Sequence, residues 1–180
     1  MKYRSRERPI VKAVIDTGPL YNALVLQLVE KSPESHRKPI LQNSGLHSHL
    51  ARSPSQQLAF VQFFRAIPTI LTTSHVIAEV NGLLKREHIK DTRYRAFWTH
   101  GMDLLNIRAL DERSLLRLLD MYVVEELKEG VCTIGPVDTA LIELARKEGC
   151  TLLTGDNNTL ARRAWELGVD CRLIDQIISF

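Results

Sequence analysis

The chain is short of cysteine and of long apolar runs, and each shortage excludes something. Its three cysteines, Cys132, Cys150 and Cys171, are odd in number, lie in apolar surroundings and form no CxxC pair. Reduced core thiols are therefore expected, rather than a disulfide framework or a zinc site. The longest apolar stretches, such as Ala23 to Leu26 before Gln27, are far shorter than the roughly 20 residues a membrane span needs. No bilayer crossing follows. A secretory signal is not expected either, because the apolar stretch after the basic segment from Lys2 to Arg8 is interrupted by Lys12 and ends at Asp16. A cytoplasmic location with no membrane partner is expected. Strong net charge is lacking too, at a formal +3, but the charge is unevenly spread. Fifteen Lys and Arg stand against seven Asp and Glu up to position 100, and nine against fourteen beyond it. A basic front and an acidic back suit a fold that meets a polyanion on one surface and carries an acidic pocket elsewhere.

What is present is ordinary globular material. A chain of 180 residues with 44% hydrophobic and 25% charged content can bury one core. One domain over 1–180 is expected. The β-branched run Val11 to Ile15 reads as a strand, and Leu20 to Val29 after Gly18-Pro19 as a helix. From Lys31 to Ser55, repeated Ser and Pro with Gly45 read as a flexible insertion. Beyond it the pattern predicts a helix at Gln56 to Ala66, a strand at Thr69 to Thr72, and a helix from a Ser74 cap to Glu87. Helices at Thr92 to Leu105 and Glu112 to Lys128 follow, separated by Asn106 to Asp111, then a strand at Val131 to Ile134. A helix at Pro136 to Glu148, a strand at Cys150 to Thr154, a helix at Thr159 to Leu167 and a strand at Cys171 to Ile174 complete the series, with Gly149 and Gly168 at helix ends. Alternating strands and helices imply an α/β fold with a mainly parallel sheet covered on both faces.

In such sheets ligands bind beyond the carboxyl ends of the strands. Asp16 closes the first strand and Asp156 follows Leu152-Leu153-Thr154-Gly155. Either alone is more often a turn or cap residue. Glu79 shares a helical face with Val76 and Leu83, beside Val80, and so interrupts an apolar stripe. Asp138 shares a face with Leu141, Ile142 and Ala145, although a carboxylate in the first turn after Pro136 also suits the helix dipole. Four gathered carboxylates repel one another, so their coexistence calls for a divalent cation, and hard oxygen ligands favour Mg²⁺ or Mn²⁺. Such an ion polarises a phosphoryl oxygen and activates water, which is the chemistry of phosphodiester hydrolysis.

Four segments in order resemble the PIN-domain ribonucleases: Val14-Ile15-Asp16-Thr17, Ser74-His75-Val76-Ile77-Ala78-Glu79-Val80, Val137-Asp138-Thr139-Ala140-Leu141-Ile142, and Leu152-Leu153-Thr154-Gly155-Asp156-Asn157-Asn158. The resemblance implies a single-domain α/β/α sandwich and a metal-dependent endoribonuclease that leaves 5′-phosphate and 3′-hydroxyl ends. It carries catalytic and metal-binding roles onto Asp16, Glu79, Asp138 and Asp156, with Thr154 as the supporting hydroxyl. Asn158 departs from the pattern, standing where many members have a further aspartate, so its supporting role in holding metal or water is weaker. Among compact members are toxins neutralised by a small antitoxin protein, and homodimers; the resemblance extends both partners to this chain as expectations, beside an RNA substrate.

Other readings compete. Asp16-Thr17-Gly18 matches the aspartic protease triplet, but those enzymes are β-rich. Gly155-Asp156 is similar to the last motif of haloacid-dehalogenase-like phosphatases, whose nucleophile motif needs a second aspartate that Asp16-Thr17-Gly18 lacks. A PIN-like module that binds RNA or protein without cutting is the principal alternative. Cations and aromatics mix from Lys85 to Trp98 as in single-stranded RNA binders, though a solvated helix face gives the same pattern. Arg162 and Arg163, shortly after Asp156, are better placed as RNA-binding residues. His47-Ser48-His49 is assigned no metal.

Overall fold

The computed structural model of the chain describes residues 9–43, 53–86, 107–109, 134–156 and 158–178. In chain order the elements are β1 (Lys12–Ile15), α1 (Thr17–Lys31), α2 (Glu34–Asn43), α3 (Pro54–Arg65), β2 (Thr69–Thr72), α4 (Ser74–Arg86), β3 (Ile107–Ala109), α5 (Pro136–Glu148), β4 (Thr151–Thr154), α6 (Leu160–Glu166), β5 (Cys171–Leu173) and α7 (Ile174–Ile178). The strands form a five-stranded sheet in the order β3-β2-β1-β4-β5, and each neighbouring pair is parallel. Helices flank it in the expected α/β/α arrangement. Helix α1 packs against α2, α3 and α4, while α5 packs on β1, β4 and α6.

β1 lies in the middle of the sheet. Val14 pairs with Leu71 of β2 on one side and Leu152 of β4 on the other. Ala13, Val14 and Ile15 are fully buried, as are Leu152 and Leu153, so these strands read as continuous apolar runs rather than alternating ones. α1 is buried on nearly every side from Pro19 to Gln27. This explains its weak amphipathicity, because a helix enclosed by the sheet and three other helices has no wet face. It begins three residues before the sequence pattern because Asp16 caps it, and Pro19 is tolerated in the first turn.

Several expectations need correction. The stretch read as an unstructured insertion contains α2, with Pro39 inside the helix and Ile40 buried. Ser32 and Pro33 precede that helix, and Ile40 supplies the apolar contact that makes it form against α1. Residues 44–52 lie outside the described ones. Asn106 to Asp111, read as a separator, holds the edge strand β3, which at three residues is too short to show a period. Thr73, not Ser74, caps α4: its Oγ1 accepts from the Val76 N–H at 3.3 Å. α7 was not expected. The helices at Thr92 to Leu105 and Glu112 to Lys128 fall outside the described residues, as does the strand at Val131 to Ile134 except for Ile134, which is not in a strand. Cys171 is buried and Cys150 half-buried, both with free thiols; Cys132 is outside the described residues.

Two glycines give a signed test of the backbone. Gly149 ends α5 in the left-handed region at φ 60° and ψ 41°, and an added Cβ there meets no atom within 4 Å. Gly149→Ala is expected to destabilise by about 1–2 kcal/mol through backbone strain alone. Gly82, inside α4, is equally unobstructed, and Gly82→Ala should stabilise by about 0.5–1 kcal/mol. Urea denaturation midpoints at unchanged m-value check both, and shifts of the same sign would contradict this account.

Candidate functional site

The strand order reverses direction between β1 and β4, which makes the crevice beyond their carboxyl ends the natural ligand site of the sheet. Asp16 follows β1 and Asp156 stands two residues after β4. One hydroxyl links them: Thr154 Oγ1 donates to Asp16 Oδ2 at 2.7 Å and accepts from the Asp156 N–H at 3.0 Å. Thr154 is completely buried, so its hydroxyl depends on these two bonds.

The other oxygen of Asp16, Oδ1, accepts from the Thr17 N–H at 2.5 Å. Burial pushes the Asp16 carboxyl above its ordinary value; the bonds from Thr154 and Thr17 oppose this, and the charges of Glu79 and Asp156 add to it. Asp138 is in the first turn of α5, reached through Gly135 at φ 89° and Pro136. Burial pushes its carboxyl up to about 6, with further contributions from Asp16, Asp156 and Glu79. The three other acids are thus close enough to be felt electrostatically at Asp138.

Glu79 is exposed, while Val76 and Val80 are fully buried. It therefore borders the apolar stripe of α4 instead of interrupting it, which corrects the sequence reading. What brings it to the site is Thr17, whose Oγ1 donates to Glu79 Oε2 at 2.6 Å. Asp156 behaves as the cap that sequence allowed. Its Oδ1 accepts from the N–H groups of Asn158 and Thr159 at 2.9 and 3.1 Å, and Oδ2 accepts from Thr159 Oγ1 and from the Leu160 N–H. Burial raises its carboxyl, but the bonds from Thr159, Asn158 and Leu160 outweigh that and hold it below the ordinary range.

Asn158 is exposed and reaches Asp156 through its backbone N–H. Arg162 and Arg163 both pair with Glu166, at 3.1 and 3.2 Å. The residues from Glu87 to Trp98, and both His47 and His49, lie outside the described ones. Thr17 and Thr159 were not singled out from sequence. The available signal was a hydroxyl residue one or three positions after a strand-end aspartate, where it can bond or cap. A cavity of about 470 Å³ opens elsewhere, between the starts of β1 and β4, with Lys12, Arg146, Asp170 and Arg172 in its lining. It is separate from the acids.

Among the described residues no three His, Cys, Asp or Glu side chains meet in a ready-made ligand cage. The donor set nevertheless fits a hydrated hard cation. Mg²⁺ keeps several waters and needs only one or two direct carboxylates, and the raised carboxyls of Asp16 and Asp138 mark where added positive charge is most favourable.

A family model described as PIN domain matches residues 44–166. No curated protein and no solved structure gives a significant match. Among the described residues no helix is long and apolar enough to cross a membrane.

The Asp138 environment gives a pH test in metal-free protein. Its folded value of about 6 lies above the ordinary 3.8, so the folded state binds the proton more tightly. The stability this contributes is complete at low pH and is lost as pH rises through about 6. Asp138→Asn cannot ionise. Its melting temperature relative to the unsubstituted protein should therefore climb between pH 5 and 7; a difference independent of pH over that range would show that Asp138 is not in the described environment.

Proposed function

The chain belongs to the PIN-domain family, and from that premise we propose that it is a Mg²⁺- or Mn²⁺-dependent endoribonuclease working through Asp16, Glu79, Asp138 and Asp156. PIN is a nuclease-type fold whose members generally use divalent metals and act on RNA. The observation that carries the reading to this chain is the hydrogen-bonded series Glu79–Thr17–Asp16–Thr154–Asp156 at the reversal point of the sheet. Sequence separation there is large, since Thr17 and Glu79 are 62 positions apart and Asp16 and Thr154 are 138.

Asp16 and Asp138 are the residues that would hold the cation, because they gain most from opposite charge. A divalent ion bound there supplies charge neutralisation at the scissile phosphate and a more acidic water. Asp156, with its oxygens engaged by the start of α6, acts through an intervening water. Glu79, fixed through Oε2, keeps Oε1 available to hold the cation, directly or through a water, on the open side of the site. Arg162 contacts phosphate by exchanging Glu166 for it, a small cost because exposed ion pairs are weak; Arg163, whose side chain is mostly buried, has to turn outward from Glu166 to do the same. The toxin of a toxin–antitoxin pair is the setting that the resemblance alone suggests. Growth arrest on expression of the chain, relieved by Asp16→Asn, would support it.

The capping of Asp156 favours a second reading, a PIN-like module that binds RNA without cutting, and one experiment separates the two. Structured RNAs are incubated with protein in Mn²⁺ and in chelator. Metal-dependent shortening is expected, with loss by about 10²-fold or more in Asp16→Asn and Asp138→Asn, the scale for removing one preorganised electrostatic group. Both variants should still melt cooperatively. RNA that is bound in a salt-sensitive way but stays intact in Mn²⁺ would establish the binding module instead.

A further inference from the structure

We propose that Thr17 is a positioning residue that holds Glu79 against Asp16 and thereby sets how tightly the site takes a divalent cation; the inference rests on the functional reading above. Three of the acids are placed by elements that touch: Asp16 and Asp156 by adjacent strands, and Asp138 by the first turn of the helix packed on those strands. Glu79 comes from α4, which packs on α1, but its side chain is exposed and longer than that of any of the aspartates. Ordering such a side chain costs rotamer entropy. Repulsion from the other acids works against the ordered position as well, since Glu79 raises the carboxyls of both Asp16 and Asp138. Something must oppose both effects before a cation arrives.

The side chain of Thr17 does so. It is the first residue of α1. Its hydroxyl donates to Glu79 Oε2 at 2.6 Å, while its own N–H donates to Asp16 Oδ1 at 2.5 Å. One residue therefore ties two carboxylates together, through bonds strengthened by the charge of the acceptors. The β-branch limits χ1, so the hydroxyl is pre-aimed. Because the Asp16 bond comes from the backbone, Thr17→Val removes the hydroxyl and nothing else, and it preserves both shape and cap. Glu79 would then swing into solvent, and a cation would have to gather it on binding.

The test is the Mn²⁺ concentration that gives half of the full metal-induced rise in melting temperature, a readout independent of cleavage. Thr17→Val should raise it roughly tenfold, the lower end of what loss of a ligand-orienting contact costs a metal site. Thr17→Ser should stay close to the unsubstituted protein. In a Glu79→Gln background, Thr17→Val should add no further change, since its effect passes through Glu79. Should Thr17→Val fail to fold, Thr17→Ala makes the same comparison. If the unsubstituted protein responds to Mn²⁺ and Thr17→Val responds equally, or if Thr17→Val and Glu79→Gln act additively, the inference is wrong while the functional reading stands. If Mn²⁺ does not stabilise the unsubstituted protein at all, the functional reading fails and takes the inference with it.

Discussion

A single buried hydroxyl holds the carboxyl edge of this sheet together. Thr154 Oγ1 gives its proton to Asp16 Oδ2 and takes one from the Asp156 N–H, so the end of β1 is tied both to β4 and to the turn that follows it. With all of its surface buried, Thr154 has no water to turn to. The backbone leaves little latitude either, because Ile15 pairs with Leu153 and the Asp16 N–H continues the ladder to the Leu153 carbonyl at 3.0 Å. Strand register thus decides which side chains meet. A slip of one residue would turn Thr154 to the opposite face and leave Asp16 half-buried without its donor.

That arrangement tolerates a local conflict. Burial and like charge push Asp16 and Asp138 up, whereas the start of α6 holds Asp156 down. Opposed shifts among neighbouring carboxyls mean that environment, not residue type, assigns the proton. A fold selected for stability alone would place an amide or an apolar residue at Asp138, where, among the described residues, the acid gains from no hydrogen bond and suffers from burial and three like charges. The uncompensated repulsion is the physical reason to expect a cation here. Lys12 and Arg65, which do have cross-element acid partners, instead pair with Glu148 and Glu30, outside this cluster.

The elements that sequence could place are those whose burial leaves a period. β2 and α5 lie where the pattern put them, and β1, β4 and β5 differ by about a residue at an end. β3 and α7, at three and five residues, are shorter than any periodic window. α2 was hidden by Pro39 and by a mostly polar composition that earns its place through Ile40. Of the candidate site, order and position at strand ends made Asp16 and Asp156 legible, yet the cap geometry of Asp156 was equally so, and the structure realises both. Glu79 was selected for a reason that fails, since its side chain faces solvent; its place at the site comes from Thr17. No rule of spacing links residues 62 apart. The partner of a hydroxyl across two helices is a tertiary fact.

The extent of the family match sharpens the role of the first strand. Residues 44–166 include Glu79, Asp138 and Asp156 but not Asp16. In the structure the strand that carries Asp16 is not peripheral. β1 is hydrogen-bonded on both edges, and without it β2 and β4 would face each other across an empty strand position, with two rows of unpaired backbone groups and the fully buried Ala13, Val14 and Ile15 gone from the core. The matched segment therefore cannot close its own sheet. It also cannot complete the acid cluster, because Thr154 and Glu79 both reach it through the turn at Asp16 and Thr17. The part of the chain outside the match is thus the part on which its sheet and its candidate site converge. Variation in β1 or in the Asp16-Thr17 turn should accordingly affect fold and site together, whereas the exposed Arg162 and Glu166 on α6 can change with far less consequence for either.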